Sequence, residues 1–157
     1  MLIAILSRHP NLRGIVFELP HVTSTAKARV ASAGLSDRCE VVAGDARTTT
    51  PPGADAYILK HVIHGRPDAE AVEILRNCRA AMLPNSKVIL VERILPAHIE
   101  GVDNTTQSAF LADLNMMVGA GGKERTEREY ETLLTEARLR LGRVVRTPGS
   151  LSIMEAG

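Results

Sequence analysis

The chain has 157 residues, of which 45% are hydrophobic and 3% aromatic with no tryptophan, and its 19 basic and 18 acidic side chains leave a net charge of +1. That size suits one domain with a real core. The balanced charge and scarce aromatics argue against nucleic acid or an anionic membrane as partner, and no apolar run nears the roughly 20 residues that span a bilayer.

Short apolar runs alternate with longer stretches of helical period, which predicts an α/β fold. Met1 to Leu6 is too short and wrongly flanked for a signal peptide, so a cytoplasmic protein is expected. Leu2 to His9 reads as the back end of a helix closed by Pro10. Gly14 to Leu19 is a β-rich run stopped by Pro20. Val22, Ala26, Val30 and Ala33 share a helical face, with Gly34 placed to cap it. Cys39 to Ala43 and Ala56 to Lys60 are the next strands. A helix from Asp68 to about Leu83 repeats Ala71, Ile74, Leu75, Cys78, Ala81 and Met82 at helical spacing. Lys87 to Glu92 is almost wholly apolar and suits a parallel strand buried on both faces. Thr126 and Glu129 form a capping-box pattern that opens a helix to Ala137. Leu141 to Arg146 and Leu151 to Glu155 flank Pro148-Gly149-Ser150 as an antiparallel hairpin. Cys39 and Cys78 lie far apart in no metal-ligand spacing and read as buried, reduced thiols.

Ligands of open α/β sheets bind beyond the carboxyl ends of the strands. The first strand ends at Glu18, the second at Asp45, the third at Lys60 to His64 and the fourth at Glu92, so an acid, an acid, a lysine with two histidines and an acid share one rim. That set describes a nucleotide-type pocket. In such folds an acid ending the second strand holds ribose hydroxyls about 20 residues after a glycine-rich loop. Counting back from Glu18 puts that loop before Met1. His61 and His64 form a pair with no third ligand at suitable spacing in the sequence, so no metal is expected.

Several segments in order carry a resemblance. Leu12-Arg13-Gly14-Ile15-Val16-Phe17-Glu18-Leu19-Pro20-His21-Val22, Arg38-Cys39-Glu40-Val41-Val42-Ala43-Gly44-Asp45 and Leu59-Lys60-His61-Val62-Ile63-His64 are similar to successive strand segments of the bacterial and plant small-molecule O-methyltransferases. Ile74-Leu75-Arg76-Asn77-Cys78-Arg79, Val91-Glu92 and Gly121-Gly122-Lys123-Glu124-Arg125-Thr126 complete the series. The resemblance implies a Rossmann-like class I methyltransferase sheet lacking its first strand, with a C-terminal antiparallel hairpin, in a partial catalytic domain over residues 1–157. It also implies S-adenosylmethionine as cofactor, with Glu18 on the ribose, Asp45 and Ala46 at the adenine, and Lys60 lining the pocket. His64 takes the place of the general base, flanked by Glu92 and Glu124, and Met116 or Met117 that of a contact to an aromatic hydroxyl or phenolic acceptor. An unperturbed histidine near pKa 6.5 is a usable base at neutral pH, and a carboxylate on its far nitrogen fixes the tautomer.

The chain departs from the family at several points. Gly65-Arg66-Pro67 stands where Asp-Trp and a polar residue are usual, and Arg138-Leu139 replaces Gly-Phe. The glycine-rich loop and the N-terminal helical module that builds the family's homodimer do not occur in these residues. Two functions follow as expectations: an O-methyltransferase of small hydroxylated molecules, or a non-catalytic truncated or split fragment that binds nothing or completes a partner chain. A nicotinamide dehydrogenase is disfavoured by the C-terminal hairpin, because such sheets usually continue parallel.

Overall fold

A computed structural model describes residues 1–97, 104–119 and 121–157. They form two compact units, Met1–Pro51 and Pro52–Gly157, each built around its own sheet.

In the first unit, α1 (Leu2–Arg8) leads to β1 (Gly14–Glu18), a short 3-10 helix (Pro20–Val22), α2 (Thr23–Ser32) and β2 (Cys39–Ala43). β1 and β2 pair in parallel from Gly14 opposite Cys39 to Glu18 opposite Ala43. Leu6, Val30, Leu35 and Cys39 are buried at the centre, with Leu2, Ile3, Val16 and Val41 packed around them. Of the expected face of α2 only Val30 is fully buried, and Ala33 lies exposed at the helix end. Gly34 sits at φ +68°, its N–H donating to the Ala31 carbonyl while that of Leu35 donates to Val30. This is a Schellman closure, and its left-handed residue is one that glycine enters without steric cost. The Arg38 guanidinium donates to the carbonyls of Leu6, Pro10 and Leu12 at 3.0–3.1 Å, stitching the connection after α1 to the start of β2.

The second unit runs β3 (Ala56–Lys60), α3 (Asp68–Ala81), β4 (Lys87–Glu92), β5 (Ile94–Leu95), α4 (Asn104–Gly119), β6 (Arg125–Thr126), α5 (Glu127–Glu136), β7 (Leu141–Arg146) and β8 (Ser152–Ala156). Its main sheet has the order β3-β4-β8-β7. β3 and β4 are parallel, whereas β8 is antiparallel to both β4 and β7. The apolar run at Lys87 to Glu92 therefore has one parallel and one antiparallel neighbour, because the second strand of the C-terminal hairpin lies beside it. α3 buries Ala71, Val72, Ile74, Leu75 and Cys78. Ala81 and Met82 are only partly buried, since the helix stops at Ala81 and Met82 is extended. The capping box of Thr126 and Glu129 opens α5, which buries Tyr130, Leu133 and Leu134. β5 and β6 make a two-residue parallel pair that the apolar pattern does not announce.

Candidate functional site

The site in the second unit begins with the pleat of β4. Val88, Leu90 and Glu92 alternate onto its buried face, so a carboxylate ends a row of apolar side chains and is wholly buried. Burial of a charge needs compensation. Glu92 Oε1 accepts the backbone N–H groups of Val62 and Ile63, both at 2.9 Å. The side chain thus fixes the turn that follows β3 and carries both histidines. His61 opens that turn at φ +55°, a left-handed conformation that is uncommon for a residue with a Cβ.

A second segment closes on the turn from the other side. The Lys123 N–H donates to the His64 carbonyl at 2.9 Å. A Cβ added to Gly122 would collide with that same carbonyl oxygen and with the Gly65 backbone, so two main chains touch where only glycine fits. The Glu124 N–H donates to Asp113 Oδ1 on α4 at 2.8 Å. Arg125 is buried completely: it donates to the carbonyls of Ile63 and Arg66 at 2.9 and 2.8 Å and to Asp68 Oδ1 at 2.6 and 3.0 Å.

These elements place His64, 14% exposed, between two buried carboxylates. Its Nδ1 lies 3.3 Å from Glu124 Oε1 and 3.7 Å from Glu92 Oε2. A carboxylate can only accept, so the ring nitrogen is the donor and the other nitrogen is left to take a proton. Arg93 Nε stands 3.8 Å from Glu124 Oε1. Glu92 Oε2 and Glu124 Oε2 are buried without a hydrogen-bond partner among the described residues. Burial pushes the Glu92 carboxyl above its ordinary value, against the opposing pull of the Ile63 and Val62 amides and of His64. The His61 ring stacks at 5.0 Å from His64, tilted by 31°. Burial, together with the His64 and Lys60 charges, holds His61 below the ordinary histidine value.

The three residues assigned to catalysis therefore meet at one point. Lys60 is exposed at the end of β3. Glu18 is exposed at the end of β1 in the first unit, and Asp45 and Ala46 follow β2 there. Asp45 grips Arg47, accepting from Nε and Nη2 at 2.7–3.2 Å and from its backbone N–H at 2.9 Å. On α4, Met116 is half-buried and Met117 is 60% exposed. The expectation that the histidine pair lacks a third ligand rested on spacing along the chain. In space Glu92 stands beside both rings, 3.7 and 3.9 Å from their Nδ1 atoms. Sequence reasoning also missed Arg125, Asp68 and Gly122, which position the turn without touching the histidine ring.

The profile of the O-methyltransferase domain family matches residues 1–140. A phenazine O-methyltransferase of Lysobacter antibioticus is 42% identical, over 99% of this chain and 44% of its own length. An O-demethylpuromycin O-methyltransferase of Streptomyces alboniger is 39% identical, over 99% of this chain and 42% of its own. Among solved structures, an O-methyltransferase of neocarzinostatin biosynthesis in complex with S-adenosylmethionine and 2-hydroxy-5-methyl naphthoic acid superposes with a TM-score of 0.87 at 32% identity, covering 99% of this chain and 44% of that one. The chain thus spans less than half the length of these relatives. No helix among the described residues is long and apolar enough to cross a membrane.

Proposed function

The chain belongs to the O-methyltransferase domain family, and from that premise we propose that it serves S-adenosylmethionine-dependent methyl transfer to a hydroxyl of a small aromatic molecule, with His64 as general base. The observation that carries the reading is the seating of His64 Nδ1 against Glu124, with Glu92 beneath it.

S-adenosylmethionine, when bound, supplies an electrophilic methyl group. Glu18, the last residue of β1, and Asp45, beyond the end of β2, carry the carboxylate acceptors that ribose hydroxyls and an adenine amino group require, with Ala46 next in the chain. His64 takes the hydroxyl proton of the acceptor on the nitrogen turned away from Glu124. The two carboxylates hold the ring's tautomer and stabilise the imidazolium that forms. Met116 and Met117 provide apolar, adaptable surface for an aromatic acceptor. The rest of the catalytic effect is alignment of acceptor and methyl donor.

Transfer of labelled methyl from S-adenosylmethionine to a set of phenols and hydroxynaphthoic acids tests this, with cofactor binding measured by calorimetry alongside. Positioned general bases contribute on the order of 10²- to 10⁴-fold. His64→Gln should lose that much in rate while binding the cofactor as the parent does. Unchanged turnover in the variant would rule out the assignment.

A further inference from the structure

We propose that His61, His64 and Glu92 form a binding site for a divalent transition-metal ion of the zinc class. One donor atom from each of the three lies within 4.8 Å of the others. Zinc ligands at about 2.0–2.2 Å stand roughly 3.4 Å apart around a tetrahedron. The His64 and His61 Nδ1 atoms are 3.7 and 3.9 Å from Glu92 Oε2, so a shift of a few tenths of an ångström closes those edges. Glu124 Oε1 lies 3.3 Å from His64 Nδ1, next to the three donors but outside their group.

The carboxylate is the second, independent observation. Glu92 Oε1 is fixed by two backbone N–H groups, which leaves Oε2 fully buried, aimed at the histidine pair and without a hydrogen-bond partner. Glu124 Oε2 is likewise buried without a hydrogen-bond partner among the described residues. Lone pairs left unsatisfied in a buried site are costly, and a cation bound there would satisfy them. The turn is already held by Glu92, Lys123 and Arg125, so the donors need little ordering to bind. His61 is 45% exposed, which gives an ion a way in and a position open to water. Two imidazoles with carboxylate oxygen favour zinc, cobalt, nickel or copper over magnesium or calcium, which prefer all-oxygen sites.

Where His64 is the base, a bound ion takes the ring out of proton transfer. That consequence rests on the function proposed above, whereas binding of the ion does not.

The test is titration of chelator-treated protein with zinc chloride by calorimetry, and with cobalt(II) by visible absorption. The expected result is a single micromolar site with a tetrahedral cobalt spectrum and no response to magnesium chloride. His61→Asn, which tolerates the left-handed backbone, should weaken zinc about tenfold or more without altering circular dichroism or Tm. Glu92→Gln, which keeps an acceptor for the two amides, should do the same. Zinc affinity unchanged in both variants, or no binding at 100 micromolar (about 5.5 kcal/mol on the affinity scale), would overturn the site. If zinc binds through these residues yet methyl transfer continues at full rate, the metal site stands and the role of His64 as base falls.

Discussion

Arg125 and Asp68 are joined by two hydrogen bonds of 2.6 and 3.0 Å, and through them the N-terminus of α3 is tied to the turn that carries His64. The same guanidinium holds the Ile63 and Arg66 carbonyls, so one buried cation fixes both ends of the segment that leads from the histidines into the helix.

The pair makes stability depend on acid. Partial burial raises the Asp68 carboxyl, but hydrogen bonds and charge from Arg125 and Lys123 outweigh it and hold the group below its ordinary value of 3.8. A depressed folded-state pKa gives stability that is present above the unfolded value and lost as pH falls through the folded one. Asp68→Asn should therefore lower Tm at pH 7, and its curve should close on the parent's as pH falls below about 5 and on through the depressed folded value. The side chain is half exposed, so solvent keeps the difference modest. Thermal melts across that range check it, and parallel curves would dismiss the pair as a stability determinant.

Glu92 separates charge from hydrogen bonding. Glu92→Gln keeps an oxygen for the Val62 and Ile63 amides, and urea unfolding should place it within about 1 kcal/mol of the parent. Glu92→Ala leaves two buried donors unmet, at about 1–3 kcal/mol each, and adds a cavity. Equal midpoints for the two variants would show that the carboxylate does not brace the turn.

Arg138 ends α5 with the closure that Gly34 gives α2. Its N–H donates to the Thr135 carbonyl, that of Leu139 donates to Leu134, and Arg138 itself lies at φ +61°. The left-handed region costs an L-residue roughly 1 kcal/mol or more. Arg138→Gly should thus stabilise the protein by about 1 kcal/mol, a rise of a few degrees in Tm. A fall in Tm would mean that the arginine side chain contributes more than its backbone conformation costs.

The strands and the larger helices were legible because their signals are local. Lys87 to Glu92 read as a strand buried on both faces, whereas burial alternates along it and sets Glu92 with Val88 and Leu90 on the buried face. His64, Glu92 and Glu124 were named from the resemblance, and the structure brings their side chains together. Arg125 was not legible: beside Glu124 it reads as one more surface base, and only folding brings Asp68 and two distant carbonyls to it. β5 and β6, with two residues each, carry no period to detect. Nor does period say which strands adjoin. The sequence reads as one domain, and among the described residues its strands fall into three sheets, β1-β2, β3-β4-β8-β7 and β5-β6.

The small core of the first unit sets where the chain breathes. Leu6, Val30, Leu35 and Cys39 are buried there beneath a single two-stranded ladder, whereas β4, with Val88 and Leu90 at no exposure, has a hydrogen-bonded neighbour on each side. A two-stranded ladder has fewer hydrogen-bonded neighbours than a strand paired on both sides, so amides of Gly14–Glu18 should exchange with solvent sooner than those of Lys87–Glu92. A ligand that bound at Glu18 and Asp45, as proposed above, would first draw on its own binding free energy to order that unit. Its apparent affinity carries that tax, and its arrival will be read most plainly as slowed exchange in β1 and β2.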